Sequence, residues 1–335
     1  MNGRRSLVLA LVAVLVGTSC GGAPAEAPAV APSAHEAAAG ADSADPWAKG
    51  PRWPSASVAA GEPAAPVGSA GPGEPAAEAQ GEAPAAAGEA GERWCAPELE
   101  ALAGGEVCAF VPTHEMAGPR TLVIFLHGVI APDTTWQWGQ QRAAARGAQA
   151  QGFTVLMPRG RRGPGPKGMR DAWAWPGGAP PEVEAEIFAA WQKARAELEG
   201  REGRAFERVW VFGFSSGAYY AASLALRGRL AGPGALHVDG FAAFAGGGGR
   251  SGAIEAIARR ARARTPIFIG WGGKDKSRDD PRKLAALLRR VGWPAKGELS
   301  PKAGHAMTDA QVASAVRFLG APRGGQADKA RAAKR

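Results

Sequence analysis

Hydrophobic residues along this chain fall into short unbroken runs separated by stretches with helical spacing. Thr121–Leu126 reads TLVIFL, a continuous β-rich apolar run of the kind that fills a strand buried on both faces. Phe153–Met157, Val209–Phe212, Gly240–Ala245 and Pro266–Gly270 repeat the pattern. Between them lie helical stretches at Gly139–Gln151, Val183–Glu199, Ser216–Arg227, Gly252–Arg262 and Pro281–Val291. Strands alternating with helices of this length predict an α/β architecture, a doubly wound and mostly parallel sheet with helices on both faces. Asp280-Pro281 reads as an N-cap with a first-turn proline, and Thr308-x-x-Gln311 as a capping box opening a last helix through Leu319. Only about twenty residues separate Ala245 from Thr265, so no large lid domain fits and the cleft should be open.

Outside residues 93–320 the pattern disappears. Residues 21–92 hold 26 Ala, 11 Pro and 11 Gly and no Leu, Ile, Met or Phe. Such a segment cannot bury enough apolar surface to offset the entropy of ordering it, so it is expected to be a tether. Residues 321–335 carry five basic residues without apolar periodicity and read as a disordered tail. The remaining 228 residues suit one domain. At the front, Arg4-Arg5 precede an apolar run from Leu7 to Val16 that ends in Gly17-Thr18-Ser19-Cys20. A basic start, a short apolar core and small residues before a cleavage point make residues 1–20 a secretory signal. The tail of that signal resembles a bacterial lipobox, which implies lipidation at Cys20 and a domain tethered to the membrane of the cell envelope. An ordinary signal peptide is the alternative.

Charge and cysteine usage fit an exported protein. The tether has a balance of −8 and residues 93–335 one of +15. A basic surface favours anionic neighbours. No basic stripe interleaved with aromatics appears, so nucleic-acid binding is not expected. Cys95 and Cys108 flank the start of the domain, and in an oxidising compartment a disulfide between them is the expectation, with two buried free thiols as the alternative. No Cys/His spacing suggests a metal site.

The chemistry concentrates where Arg208–Phe212 runs into Gly213-Phe214-Ser215-Ser216-Gly217 and then a helix. A strand, a Gly-x-Ser-x-Gly turn and a helix make a nucleophile elbow. The turn lifts Ser215 above the sheet, and residues two positions either side must be small. The helix N-terminus beneath supplies N–H groups for developing negative charge.

On Leu122–Gly128 (LVIFLHG), Gly213–Gly217, Gly272–Asp275 (GGKD) and Gly304–Leu319, the domain resembles the α/β-hydrolase superfamily. It is most similar to the phospholipase/carboxylesterase and dienelactone-hydrolase group, with polyhydroxybutyrate-depolymerase-like esterases nearby. The resemblance spans Thr121 to Leu319 and implies an α/β-hydrolase fold. It implies Ser215 as nucleophile, Asp275 as the acid and His305 as the general base. The backbone N–H groups of Ser216 and Val129 would form the oxyanion hole. It gives His127 a supporting role in the oxyanion loop. The other competitors for these roles are Ser216 beside the nucleophile, Asp279 and Asp280 near the acid, and His35, His114 and His237. The sequence departs from the relatives at Ala218, where a second glycine is common, and after Asp275, where Lys-Ser-Arg-Asp stands in place of Val-Pro.

Trp136, Trp138, Trp173, Trp175 and Trp271 fall where loops at the carboxyl edge of the strands are expected, as an aromatic wall for substrate or as packing anchors. The function expected is a serine esterase acting on carboxylic esters without a cofactor, as a monomer. A peptidase or amidase on the same residues is one alternative. An inactive hydrolase-fold binding module at the cell envelope is another.

Overall fold

The computed structural model describes residues 93–163, 169, 171–177, 180–230, 236–248 and 252–322. The expected signal, Cys20, the tether and nearly all of the tail lie outside the described residues.

The apolar run Thr121–Leu126 forms β3 near the middle of the sheet. Its side chains alternate between two cores, with Leu122, Ile124 and Leu126 in one and Val123 and Phe125 in the other. That is why the run is apolar throughout rather than at every second position. The parallel strands β4 (Thr154–Pro158), β7 (Arg208–Phe214), β8 (Gly240–Phe244) and β9 (Ile267–Gly272) flank it, all within a few residues of the expected runs. Three further strands complete the main sheet: β1 (Glu100–Leu102), β2 (Val107–Phe110) and β10 (Ala295–Ser300). The order is β1-β2-β4-β3-β7-β8-β9-β10, antiparallel at β1/β2 and β2/β4 and parallel elsewhere. A two-stranded ribbon, β5 (Arg161–Arg162) with β6 (Trp173–Ala174), stands apart.

Among the described residues six α-helices cover both faces. On one face α1 (Trp136–Gln151) and α6 (Asp309–Gly320) close a core with Phe125, Phe212, Phe244 and Phe268. On the other, α2 (Pro181–Glu202), α3 (Ser216–Arg227), α4 (Gly252–Arg260) and α5 (Asp279–Arg290) close a second core with Ile124, Val211 and Ile269. The sheet is thus doubly wound and mostly parallel, as its sequence pattern requires. Buried Glu184 of α2 takes Arg227 and Arg229 at the end of α3, which ties these helices together.

Two start signals turn out differently. Thr308 and Gln311 make the expected capping box for α6. Asp280, by contrast, is not an N-cap: α5 begins one residue earlier at Asp279, and the Asp280 carboxylate accepts a hydrogen bond from the Tyr219 hydroxyl at 2.8 Å. Pro281 still fits, because the first turn of a helix needs no N–H there. The disulfide Cys95–Cys108 is present and fastens the segment before β1 to β2. Gln141 of α1 locks the same segment, its Oε1 accepting from the Ala96 N–H at 2.9 Å and its Nε2 donating to the Trp94 carbonyl at 3.1 Å.

Candidate active site

The elbow begins where β7 ends. Ser215 adopts φ 51° and ψ −114°, a conformation that costs a non-glycine residue about 1–3 kcal/mol and persists only when its surroundings enforce it. Its N–H donates to the Phe244 carbonyl at 2.9 Å, and the Gly217 N–H donates to the His127 carbonyl at 3.0 Å. The two flanking glycines are obligatory. A Cβ on Gly213 would stand 2.1 Å from the Gly217 carbonyl oxygen, and one on Gly217 2.1 Å from the Leu126 oxygen. Ala218, where relatives commonly have glycine, is accommodated with no exposure because it packs opposite Gly246.

A hydrogen-bonded chain starts from Ser215. Its Oγ lies 2.9 Å from His305 Nε2, and His305 Nδ1 lies 2.9 Å from Asp275 Oδ2. His305 comes from the loop between β10 and α6, Asp275 from the turn after β9, so three carboxyl-end loops converge on one point. Phe214 supports the imidazole, with ring centroids 5.2 Å apart. The His305 side chain is 44% exposed, so the site meets solvent on that side. Asp275 is buried, and its second oxygen accepts from both the N–H and the Oγ of Ser277 at 2.8 Å. Burial pushes the Asp275 carboxyl up, but the hydrogen bonds from His305 and Ser277 outweigh it and hold the group below the ordinary carboxylate value. Ser277 therefore secures the loop that carries Asp275 and lacks Val-Pro. The other acids point elsewhere, Asp279 to Arg282 and Asp280 to Tyr219.

Opposite the elbow runs the loop after β3. A Cβ on Gly128 would lie 3.1 Å from Ser215 Cβ, which measures how closely the loop approaches. The Gly128 N–H is committed to Gln140 Oε1 at 2.6 Å and the Ile130 N–H to the Trp173 carbonyl at 2.9 Å. At the start of α3 the Gly217 N–H is likewise committed. No described residue accepts from the N–H of Val129 or of Ser216, so these are the donors left on either side of Ser215.

His127 is buried beneath this loop between Trp94 and Trp175, with ring centroids 5.0 and 5.1 Å away. Its Nε2 accepts from the Gly160 N–H at 2.9 Å, which assigns the proton to Nδ1, facing the Gly128 carbonyl. Burial lowers its pKa to about 4, against the upward pull of the Gly128 carbonyl. Both ring nitrogens are thus engaged by Gly128 and Gly160 rather than by Ser215. His114 touches Gln149, and His237 is an exposed neighbour of Asp239.

The tryptophans do not form one wall. Trp136 and Trp138 sit on the first turn of α1 rather than in a loop; Trp136 is 51% exposed, whereas Trp138 packs into the α1/α6 core. Trp173 belongs to β6 and packs against Trp94. Trp175 is 3% exposed, stacks on Tyr220 and donates from Nε1 to the His127 carbonyl at 2.9 Å, so it is a beam under the loop after β3. Trp271 is on β9, on the same face as Ile267 and Ile269, where Gly297 leaves room for its ring. A tryptophan's position in the chain does not say which way its ring turns. Among the described residues no group of three or more His, Cys, Asp or Glu side chains comes together as a metal site.

The elbow at the carboxyl end of β7, the Ser–Asp–His order along the chain and the sheet order decide the architecture. This is the α/β-hydrolase fold. Solved structures with a similar course include a carboxylesterase from Mesorhizobium loti, 21% identical, covering 64% of this chain and 94% of that one at a TM-score of 0.44. Another is acyl-protein thioesterase 2 from Zea mays, 15% identical over 64% of this chain and 97% of that one, TM-score 0.42. A third is brefeldin A esterase, a bacterial homologue of human hormone-sensitive lipase, 20% identical over 67% and 74%, TM-score 0.45. No protein-family model and no curated relative matches the sequence. The fold rests on the strand order and the elbow.

Proposed function

We propose that the domain is a serine hydrolase of carboxylic esters. The observation that carries this reading is the continuous chain from Ser215 Oγ through His305 to Asp275, each link 2.9 Å. Ser215 Oγ attacks the ester carbonyl carbon while His305 Nε2 takes its proton. The electrons displaced onto the carbonyl oxygen are met by the N–H groups of Val129 and Ser216. His305 then returns the proton to the departing alcohol, leaving an acyl group on Ser215. Water repeats the sequence, giving up a proton to His305, and releases the acid. Asp275, ionised and held by Ser277, keeps the imidazole in the tautomer with the proton on Nδ1 and offsets its positive charge once it is protonated.

Export and lipid anchoring through Cys20 complete the proposal, and the Cys95–Cys108 bond supports an oxidising compartment. Steady-state hydrolysis of p-nitrophenyl butyrate tests the chemistry. Ser215→Ala should lose turnover by roughly 10⁶-fold, and retention of a tenth of the parent rate contradicts the assignment.

A further inference from the structure

Residue 128 is glycine because nothing larger fits. A Cβ there would lie 3.1 Å from Ser215 Cβ, 3.2 Å from the Phe214 ring and 3.4 Å from Gln140 Oε1. The same absence of a Cβ leaves Gly128 with little conformational preference of its own, since glycine enters either half of φ space with similar ease. The peptide unit that follows, between Gly128 and Val129, carries an N–H proposed to meet the oxyanion. The direction of that N–H is therefore imposed by groups outside the residue.

Two side chains hold Gly128, one on each side of its α-carbon. Its N–H donates to Gln140 Oε1 at 2.6 Å. Its carbonyl faces the Nδ1 of His127. The Gly128–Val129 peptide is trans, so the Val129 N–H points opposite to that carbonyl and away from the His127 ring. The His127 contact alone fixes one peptide plane and leaves the preceding one free to turn about the flexible residue. With Gln140 in place, rotation about either backbone bond of Gly128 breaks a hydrogen bond. Gln140 also brings an independent reference. It sits on α1, which is anchored away from the elbow by Ala144 and Ala148 in the core shared with α6. The hydrogen bond spans twelve residues, from the loop after β3 to the second turn of that helix.

We propose that Gln140 is a positioning residue for the reaction at Ser215: by holding the Gly128 N–H it keeps the Val129 N–H aimed at the developing oxyanion. The proposal rests on the serine-hydrolase reading and adds a residue that touches neither the substrate nor the Ser–His–Asp chain.

The test compares p-nitrophenyl butyrate with its thiono analogue, in which sulfur replaces the carbonyl oxygen. Sulfur is a weak hydrogen-bond acceptor, so donors aimed at an oxyanion favour the oxo ester, and the oxo-to-thiono ratio of kcat/KM reports on those donors. Gln140→Leu removes the acceptor at similar size. Because losing a whole oxyanion donor costs about 10²–10³ in rate, a donor that stays but wanders should lower kcat for the oxo ester about 30-fold with little change in KM, and the ratio about tenfold. Gln140→Glu keeps an acceptor oxygen at the same reach, and its added charge weighs on both esters alike, so the ratio should return to near the parental value. Gln140→Met, also without an acceptor, carries the test if Gln140→Leu fails to fold. A ratio unchanged in the variants without an acceptor, even if both rates fall together, marks a merely structural contact and overturns the role. A ratio that collapses and is not restored by Gln140→Glu overturns it too, as does a parent that cleaves the two esters equally well; in these cases the hydrolase reading stands. If the parent cleaves neither ester and takes no fluorophosphonate, that reading has failed, and the positioning role falls with it.

Discussion

His127 gives the structure a pH-dependent stability that a single substitution should remove. Buried between two indoles, it stays neutral in the folded protein until about pH 4, whereas the unfolded chain takes up the proton near 6.5. Between these values the unfolded state binds more protons, so stability falls as the pH drops, and the contribution is complete only above about 6.5. The gap of roughly 2.5 units at 1.36 kcal/mol per unit corresponds to about 3 kcal/mol lost between pH 7 and pH 4. His127→Gln does not titrate and keeps an amide acceptor for the Gly160 N–H and a donor for the Gly128 carbonyl. Other ionisable groups are shared by both proteins and cancel in the difference. Urea unfolding at pH 7, 6, 5 and 4 therefore should show the parent more stable at pH 7, with its advantage shrinking by about 3 kcal/mol at pH 4. With a urea dependence of about 3 kcal/mol/M for a domain this size, that is a relative midpoint shift of about 1 M. A constant difference across the series refutes the reasoning and means that His127 takes up its proton at the same pH in the folded and unfolded states.

Two other perturbations probe the frame of the site. Gly217→Ala forces a Cβ to within 2.1 Å of the Leu126 carbonyl oxygen, in the strand beside the elbow; a loss of more than about 3 kcal/mol is expected in thermal unfolding, and a near-parental melting temperature would show that the elbow relaxes. Cys95→Ala/Cys108→Ala opens a loop of sequence separation 13; about 3 kcal/mol should disappear in denaturant titrations, and stability unaltered by the double substitution would mean that Gln141, the Trp94 and Arg142 contacts and core packing hold the segment without the bond.

The residues that were legible in sequence and those that were not differ for physical reasons. The elbow was legible because its two glycines answer a backbone collision, which no other residue relieves, and the strand and helix around it follow strong patterns. The central strands were legible because burial on both faces leaves a continuous apolar run. β10 was not: AKGELS alternates half-buried and exposed positions at the sheet edge and carries too few apolar residues to stand out. The start of α1 was also obscured. Its first residues are Trp136, Gln137 and Trp138, and its buried face includes Gln137 and Gln141, which in sequence look like a solvated surface. Yet Gln140 fixes Gly128 and Gln141 fixes the N-terminal segment. Such side chains act through partners distant in the chain, and spacing alone does not identify those partners. Ser277 is the same case on a smaller scale, a residue in an unfamiliar stretch whose two hydrogen bonds hold Asp275.

Catalysis of the proposed kind requires an activated Ser215. The most direct measurement is labelling of the folded protein with a fluorophosphonate probe, read by intact mass, beside Ser215→Ala and His305→Ala. One adduct per parent chain on Ser215, with none in either variant, is the result expected. No adduct on the folded parent, or an adduct that persists in Ser215→Ala, would contradict it.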